Sequence, residues 1–239
     1  MADAHEDAVR ERFARTADGV AAHAREQVER VRAELRIFLS PLRPDERALD
    51  VGTGAGTLAL ALAPLVAEVV GIDIVPELLA AARDRAPANA SFVEGDATAV
   101  PFASDSFDLV CSRRTLHHVS RPELAIAELA RVCRPGGRVF VDDQVAPADP
   151  LEALELDRFE RARDPSHHRT LSDGDFRDLF EANGLRLRSA RRFTHRRELD
   201  YYLGLAGCAG DEAEHVKDLS PGDREHYVAE SAWYLCTKS

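Results

Sequence analysis

The chain has 239 residues, 45% of them hydrophobic, and a formal net charge of -11 at neutral pH. That length supports one large domain or two small ones with a sizeable core, and the spread of Asp and Glu along the chain speaks against a phosphate backbone as partner. The apolar stretches are too short for a bilayer and the charged start MADAHEDAVRERF has no apolar leader segment, so a cytoplasmic protein with no membrane span is expected.

Residues 3–38 place apolar side chains at helical spacing (Val9, Phe13, Val20, Val28, Val31, Leu35, Phe38), with Pro41 and Pro44 just beyond. One broken or two consecutive amphipathic helices are predicted. A regular alternation follows: strand 47–51, helix 57–63, strand 68–73, helix 76–85, strand 91–94 and strand 107–111. A helix over 122–133, a Pro-Gly-Gly turn at 135–137 and a strand over 138–142 complete it. Short strands separated by helices imply a doubly wound, mostly parallel α/β sheet.

Beyond Pro150 the pattern predicts helices over 151–162 and 173–182, the second capped by Asn183-Gly184. A strand over 185–193, mixed helix and loop, and a final strand over 232–237 follow. The sequence has no internal repeat and no flexible linker. A single domain over 1–239 is expected, with a helical cap (1–43), a ligand-binding core (44–144) and a C-terminal part carrying a lid insertion (145–239). Cys111, Cys133, Cys208 and Cys236 lie far apart with no CxxC pair, and read as buried, inert thiols.

The run ALDVGTGAG puts Gly52, Gly54 and Gly56 in the first strand-to-helix turn, where a doubly wound sheet binds its ligand. The third glycine comes one residue earlier than in the dinucleotide fingerprint, and no Lys-Ser/Thr follows as a phosphate loop requires. Asp73, about 20 residues past the first glycine, ends the second strand, where a carboxylate accepts both ribose hydroxyls. Asp96, after the third strand, is placed to accept from an adenine amino group. Together these residues describe an adenosine site with no phosphate requirement.

With ALDVGTGAG, the acid in VVGIDIVPELLAAAR, VEGDATAVPFASDSFDLV and ELARVCRPGGRVFVDD, the chain resembles the class I S-adenosylmethionine-dependent methyltransferases. It is most similar to their ubiquinone/menaquinone-biosynthesis-like branch (methyltransferase type 11 domain), through Leu116-His117-His118, the segment Val145–Pro150 and the loop Arg163–Arg169. The likeness covers nearly the whole chain. It implies a seven-stranded, Rossmann-like sheet and methyl transfer from S-adenosylmethionine to a small-molecule acceptor. Gly52, Thr53, Gly54 and Gly56 would wrap the methionine part of the cofactor, Asp73 with Ile74 would hold the ribose, and Asp96 with the amide of Ala97 would read the adenine. Arg113 falls where relatives contact the methionine moiety. Because Arg113 is long and charged where several relatives are small and polar, a backbone contact is expected there. Val20 stands where many relatives carry a tyrosine, so that hydrogen bond is expected to be missing.

An acceptor that is a hydroxyl or an activated carbon must lose a proton, and histidine suits that work near neutral pH. His117 and His118 follow the fourth strand at the site mouth, and adjacent side chains diverge, so one of them is expected to face the acceptor. The resemblance places His167 and His168 in a loop over the site. His167 is a weaker candidate, since Asp164, Ser166 and Arg169 explain that loop as a structural brace. Asp142 and Asp143 after the fifth strand suggest a magnesium site, but no further acid completes it, so no metal is expected. The basic run Arg191, Arg192, Arg196 and Arg197 reads as a solvated strand edge. The sequence specifies no oligomeric state, and a homodimer is compatible with it. Two rival readings are an NAD-dependent oxidoreductase, against which the glycine spacing and Asp96 argue, and a catalytically silent S-adenosylmethionine-binding module.

Overall fold

The computed structural model describes residues 4–239. The predicted helical stretch opens at residue 3, and residues 1–3 lie outside the described residues. Two helices form there, α1 (Ala4–Arg15) and α2 (Ala17–Phe38). In α2 the buried positions Ala21, Ala24, Val28, Val31 and Leu35 recur every three or four residues, which gives one apolar stripe to bury. The alternating core is β1 (Arg47–Val51), α3 (Thr57–Leu62), β2 (Glu68–Asp73), α4 (Pro76–Arg83), β3 (Ala90–Glu94), β4 (Phe107–Arg113), α5 (Pro122–Val132) and β5 (Cys133–Gln144). Then come α6 (Pro150–Arg163), α7 (Asp173–Ala182), β6 (Leu185–Glu198), α8 (Leu199–Ala206), α9 (Gly210–Asp218) and β7 (His226–Lys238).

The seven strands lie in the order β3-β2-β1-β4-β5-β7-β6. All pairings from β3 to β5 are parallel, while β7 runs antiparallel to both β5 and β6. The order reverses between β1 and β4, where chain connections leave toward opposite faces and open a crevice at the strands' carboxyl ends. One face packs on α5 and α7 through Ile126, Leu129, Phe176 and Phe180. The other packs on α2, α3 and α4 through Val31, Leu35, Leu58, Leu62 and Leu79. A separate apolar cluster, with Phe159, Leu199, Tyr202, Leu203 and Tyr227, joins α6, α8 and the near end of β7 beside the crevice.

Three local features differ from the sequence-based expectation. The Pro-Gly-Gly segment does not precede β5 but interrupts it, since Phe107 pairs with Cys133 and Leu109 with Arg138. Gly137 permits this bulge, because a Cβ there would lie 2.9 Å from the carbonyl oxygen of Asp108. β6 runs to Glu198 rather than residue 193, and β7 begins at His226 rather than 232. The pairs from Thr194–Glu230 to Glu198–His226 lie beyond Gln144, the last β5 residue in the sheet, so this ribbon overhangs the crevice. Other boundaries agree closely: α7 begins in a reciprocal capping box between Ser172 and Asp175 and ends before Gly184 at φ 68°. All four cysteines are buried free thiols, and no helix among the described residues is long and apolar enough to cross a membrane.

Candidate active site

The crevice is the mouth of a cavity of about 1090 Å³ bounded by the carboxyl ends of β1, β2 and β4, by α1 and α2, and by the β6–β7 overhang with α8. Gly52, Thr53 and Gly54 line it, as do Asp73, Ile74, Asp96, Ala97 and Arg113. Gly56 does not. A Cβ on Gly56 would lie 3.1 to 3.3 Å from Ala82, Phe92 and Leu60, and its φ is 84°, so this glycine serves helix packing and a left-handed turn rather than ligand contact. Gly52 (φ 72°) reaches the wall, but a Cβ there would collide with Thr115 at 2.2 Å. Of the three, only Gly54 has open space where a side chain would project, its nearest neighbour being Leu78 at 3.9 Å.

Asp73 is tied to this loop. Its carboxylate accepts from the Gly54 amide at 2.7 Å and the Val75 amide at 3.0 Å, and burial raises its pKa. A carboxylate has about four acceptor positions, so capacity remains for a ligand. Asp96 accepts from the amide and hydroxyl of Thr98 at 2.8 and 2.6 Å, which orients its carboxylate. Val20 also lines the wall, and its side chain carries no hydrogen-bonding group. Asp50 is a wall residue that the sequence reading passed over. Its Oδ2 accepts from Thr53 Oγ1 and the Ala59 amide, while its buried Oδ1 has no partner. Burial pushes this carboxyl up to about 7. An unsatisfied buried acid at the glycine turn suits a cationic donor, and only its position two residues before Gly52 could have signalled it.

His117 and His118 both line the cavity, with ring centroids 4.1 Å apart. Residues 116–118 form a 3-10 turn rather than an extended segment, so both histidines border the cavity. The two rings are held differently. His117 Nδ1 donates to Asp143 Oδ1 at 2.5 Å, leaving Nε2 as the ring nitrogen open to a ligand. Asp143 also accepts from the Leu116 amide at 2.8 Å. Burial pushes the Asp143 carboxyl up, but the His117 contact and the Arg114 charge outweigh it and hold it at about 2. His118 Nδ1 instead bonds the carbonyl of Ser166 at 3.0 Å, and burial followed by the His117 charge drives its pKa well down. That ring is a neutral brace.

His167 is a correction. It lies off the cavity wall with its side chain buried, and Nε2 meets Asp157 Oδ1 at 2.9 Å. The same carboxylate accepts from the Thr170 amide, so His167 ties the loop to α6. His168 hydrogen-bonds through its amide to the His117 carbonyl and is also off the wall. Asp142 and Asp143 do not form a cation site: Asp142 pairs with Arg113 at 2.9 Å and Arg114 at 3.3 Å. Arg113 thus lines the cavity with its side chain anchored on Asp142. Arg196 and Arg197 of the predicted solvated edge also reach the wall. So do Arg12 and Asp164, a buried ion pair at 2.7 Å that pins α1 to the segment after α6. These groups come from distant segments, and nothing in their spacing announces them.

The methyltransferase-domain family model matches residues 49–141. YcgJ of Bacillus subtilis, called an uncharacterized methyltransferase, is 33% identical over 76% of this chain and 74% of its own length. The chain belongs to the class I S-adenosylmethionine-dependent methyltransferases. The crystal structure of the YcgJ protein superposes with a TM-score of 0.79 at 27% identity, covering 87% of this chain and 98% of that one. A demethylmenaquinone methyltransferase of Beutenbergia cavernae is 42% identical, but over only 47% of each chain. S-Adenosylmethionine is therefore the methyl donor of this methyltransferase, and the nicotinamide alternative receives no support. The wall fits that donor on three counts: the open Gly54, the unfilled lone pairs of Asp73, and the unpartnered oxygen of Asp50.

Proposed function

We propose that this methyltransferase acts on a small molecule whose accepting atom carries a dissociable proton, a hydroxyl or an acidified carbon, with His117 as the base that removes it. The observation that carries this reading is the His117–Asp143 pair at the cavity mouth. A buried carboxylate that accepts from Nδ1 selects the tautomer with a bare Nε2 on the cavity side. It also stabilises the imidazolium that forms when the proton is taken.

When bound, S-adenosylmethionine supplies a methyl group on a sulfonium sulfur, an electrophile that needs no further activation. The protein's task is then alignment, exclusion of water and proton removal. Gly54, Asp73, Asp96 and Asp50 would hold the donor, and Arg113 would close its methionine end. Helix α1, through Phe13 and the Arg12–Asp164 pair, covers the site and keeps it dry. Phe13 packs edge-on against His118 at 5.1 Å, so the cover touches the histidine turn directly.

The test is a labelled-methyl assay with a panel of phenols and activated methylene compounds. Wild-type protein should methylate at least one, and His117→Ala should lower kcat about 10²- to 10⁴-fold while leaving S-adenosylhomocysteine affinity nearly unchanged. Asp143→Asn should also lower kcat, because it removes the carboxylate that selects the tautomer. Undiminished turnover by His117→Ala would exclude the proposed base. Binding of S-adenosylhomocysteine without transfer to any acceptor would favour a catalytically silent module.

A further inference from the structure

The cavity wall carries a cluster of arginines, although the chain as a whole carries a net charge of -11. Some come from the β6–β7 overhang and from the residues after β4. Along the overhang, residues 193, 195 and 197 are half-buried while 192, 194 and 196 are exposed, which is the period-two alternation of a strand with one covered face. His195 and Arg197, on the covered face, line the cavity together with Arg114, and the exposed Arg196 reaches its rim. Burial, followed by the charges of Arg114 and Arg197, lowers the His195 pKa, with Asp142 opposing.

The local charge does not balance. Arg12 and Arg163 are neutralised by Asp164 and Glu160. Asp142 is shared by Arg113 and Arg114. Arg197 has no carboxylate within 4.0 Å among the described residues; its guanidinium lies over the Tyr202 ring at 4.4 Å, leaving its N–H edges undirected. Arg114 Nη1 is buried without a hydrogen-bond partner, and Arg114 has a left-handed backbone (φ 54°) that an arginine rarely adopts. Glu198 lines the rim but is exposed. A buried guanidinium N–H lacking an acceptor, in the wall of the same cavity as a second guanidinium that lacks a counter-ion, is a recognition element for a planar oxyanion.

We propose that the acceptor carries an anionic group, a carboxylate or phosphate, which Arg114 and Arg197 clamp within the cavity so that the atom to be methylated lies toward His117. The inference rests on the methyltransferase reading above and adds the substrate's charge class to it. His195, held through Nε2 by Ser231 Oγ at 2.9 Å, adds a polar edge beside the clamp. No pairing partner is lost when the anion enters, because the N–H groups it would take are unfilled.

The experiment titrates the protein saturated with S-adenosylhomocysteine, so that the cofactor's own carboxylate site is filled. The probes are benzoate, phenyl phosphate and neutral benzamide, read by calorimetry. At least one charged probe should bind about tenfold or more tightly than benzamide. Arg197→Gln should abolish that preference, Arg197→Lys should keep part of it, and S-adenosylhomocysteine affinity should stay within about twofold. Arg114→Gln, on a different element, gives the same readout if an Arg197 variant fails to fold. Equal binding of charged and neutral probes, or a preference that survives both glutamine variants, would overturn the proposal. Loss of S-adenosylhomocysteine affinity in Arg197→Gln would do so too, by assigning the clamp to the cofactor's carboxylate. If wild-type protein does not bind S-adenosylhomocysteine at all, the methyltransferase reading is what fails, and the charge preference is then measured on the ligand-free protein.

Discussion

Asp50 shows how one side chain couples the site to stability. Its carboxyl is raised from 3.8 to about 7 because burial outweighs its two hydrogen bonds. A raised acid is protonated more readily in the folded state, so its contribution is fully present below the unfolded pKa and is lost as pH rises toward 7. Asp50→Asn should therefore raise Tm at pH 8, and by less than half as much at pH 5, where only part of the penalty has accumulated. The upper bound of the gain is on the order of 4 kcal/mol, from about 1.4 kcal/mol per pKa unit. Thermal unfolding at the two pH values checks this, and equal destabilisation at both would contradict it. The same variant should weaken S-adenosylmethionine binding at pH 8, since the charge that suits a cationic donor is gone.

At the scale of elements, the glycine turn and the α1 cover each carry a mutational prediction. Gly52→Ala places a methyl 2.2 Å from Thr115 in a backbone at φ 72°, and neither the angle nor the space tolerates it. A loss of about 2–4 kcal/mol is expected in denaturant unfolding, with partial recovery in Gly52→Ala/Thr115→Gly. Gly54→Ala has the room Gly52 lacks, so it should cost less stability and more cofactor affinity. Asp164→Asn leaves the buried Arg12 guanidinium without its counter-ion. About 3–5 kcal/mol should be lost, and protease cleavage within α1 should rise. An unchanged cleavage rate would mean that the ion pair does not hold the cover.

How legible these elements were in the sequence follows from the same physics. Strands β1, β2 and β4 are covered on both faces and read as short apolar runs; Gly52 follows β1, Asp73 ends β2, and Asp96 lies just past the end of β3. The far half of β6 is an edge strand whose sequence RRFTHRRE offers one apolar residue, Phe193, and so carries no strand signal. Part of the cavity wall depends on that overhang. Arg197, Arg114 and Asp164 reach the wall from segments far apart in the chain, and only folding brings them to one cavity. His167 misled for a related reason: its loop does border the site, but a ring can be turned outward to Asp157 or inward to a ligand without any change in the sequence pattern.

Over the whole molecule, a buried polar network links α1, the histidine turn, α6 and α8. Asp164 is held at about 2: burial raises it, while His118 and the Arg12 and Arg163 charges lower it further. His118 is depressed by burial and by His117. A depressed histidine contributes stability above its unfolded pKa that falls away as pH drops below about 6.5. Depressed carboxylates such as Asp143 and Asp164 contribute above about 3.8 and are lost toward pH 2. Wild-type protein should therefore lose stability through the His118 site between pH 7 and 5, and His118→Asn should flatten that decline. A decline of unchanged slope in the variant would assign the loss to other groups.

The central claim is that the adenosyl donor sits against β1 and β2 with Asp73 as its ribose acceptor. Calorimetry of S-adenosylhomocysteine on wild-type protein and Asp73→Asn tests it most directly. Saturable one-to-one binding to wild type, weakened about 10- to 100-fold in Asp73→Asn, is the predicted result. Equal affinity in the two proteins would place the donor elsewhere, and no binding to wild type would contradict the account outright.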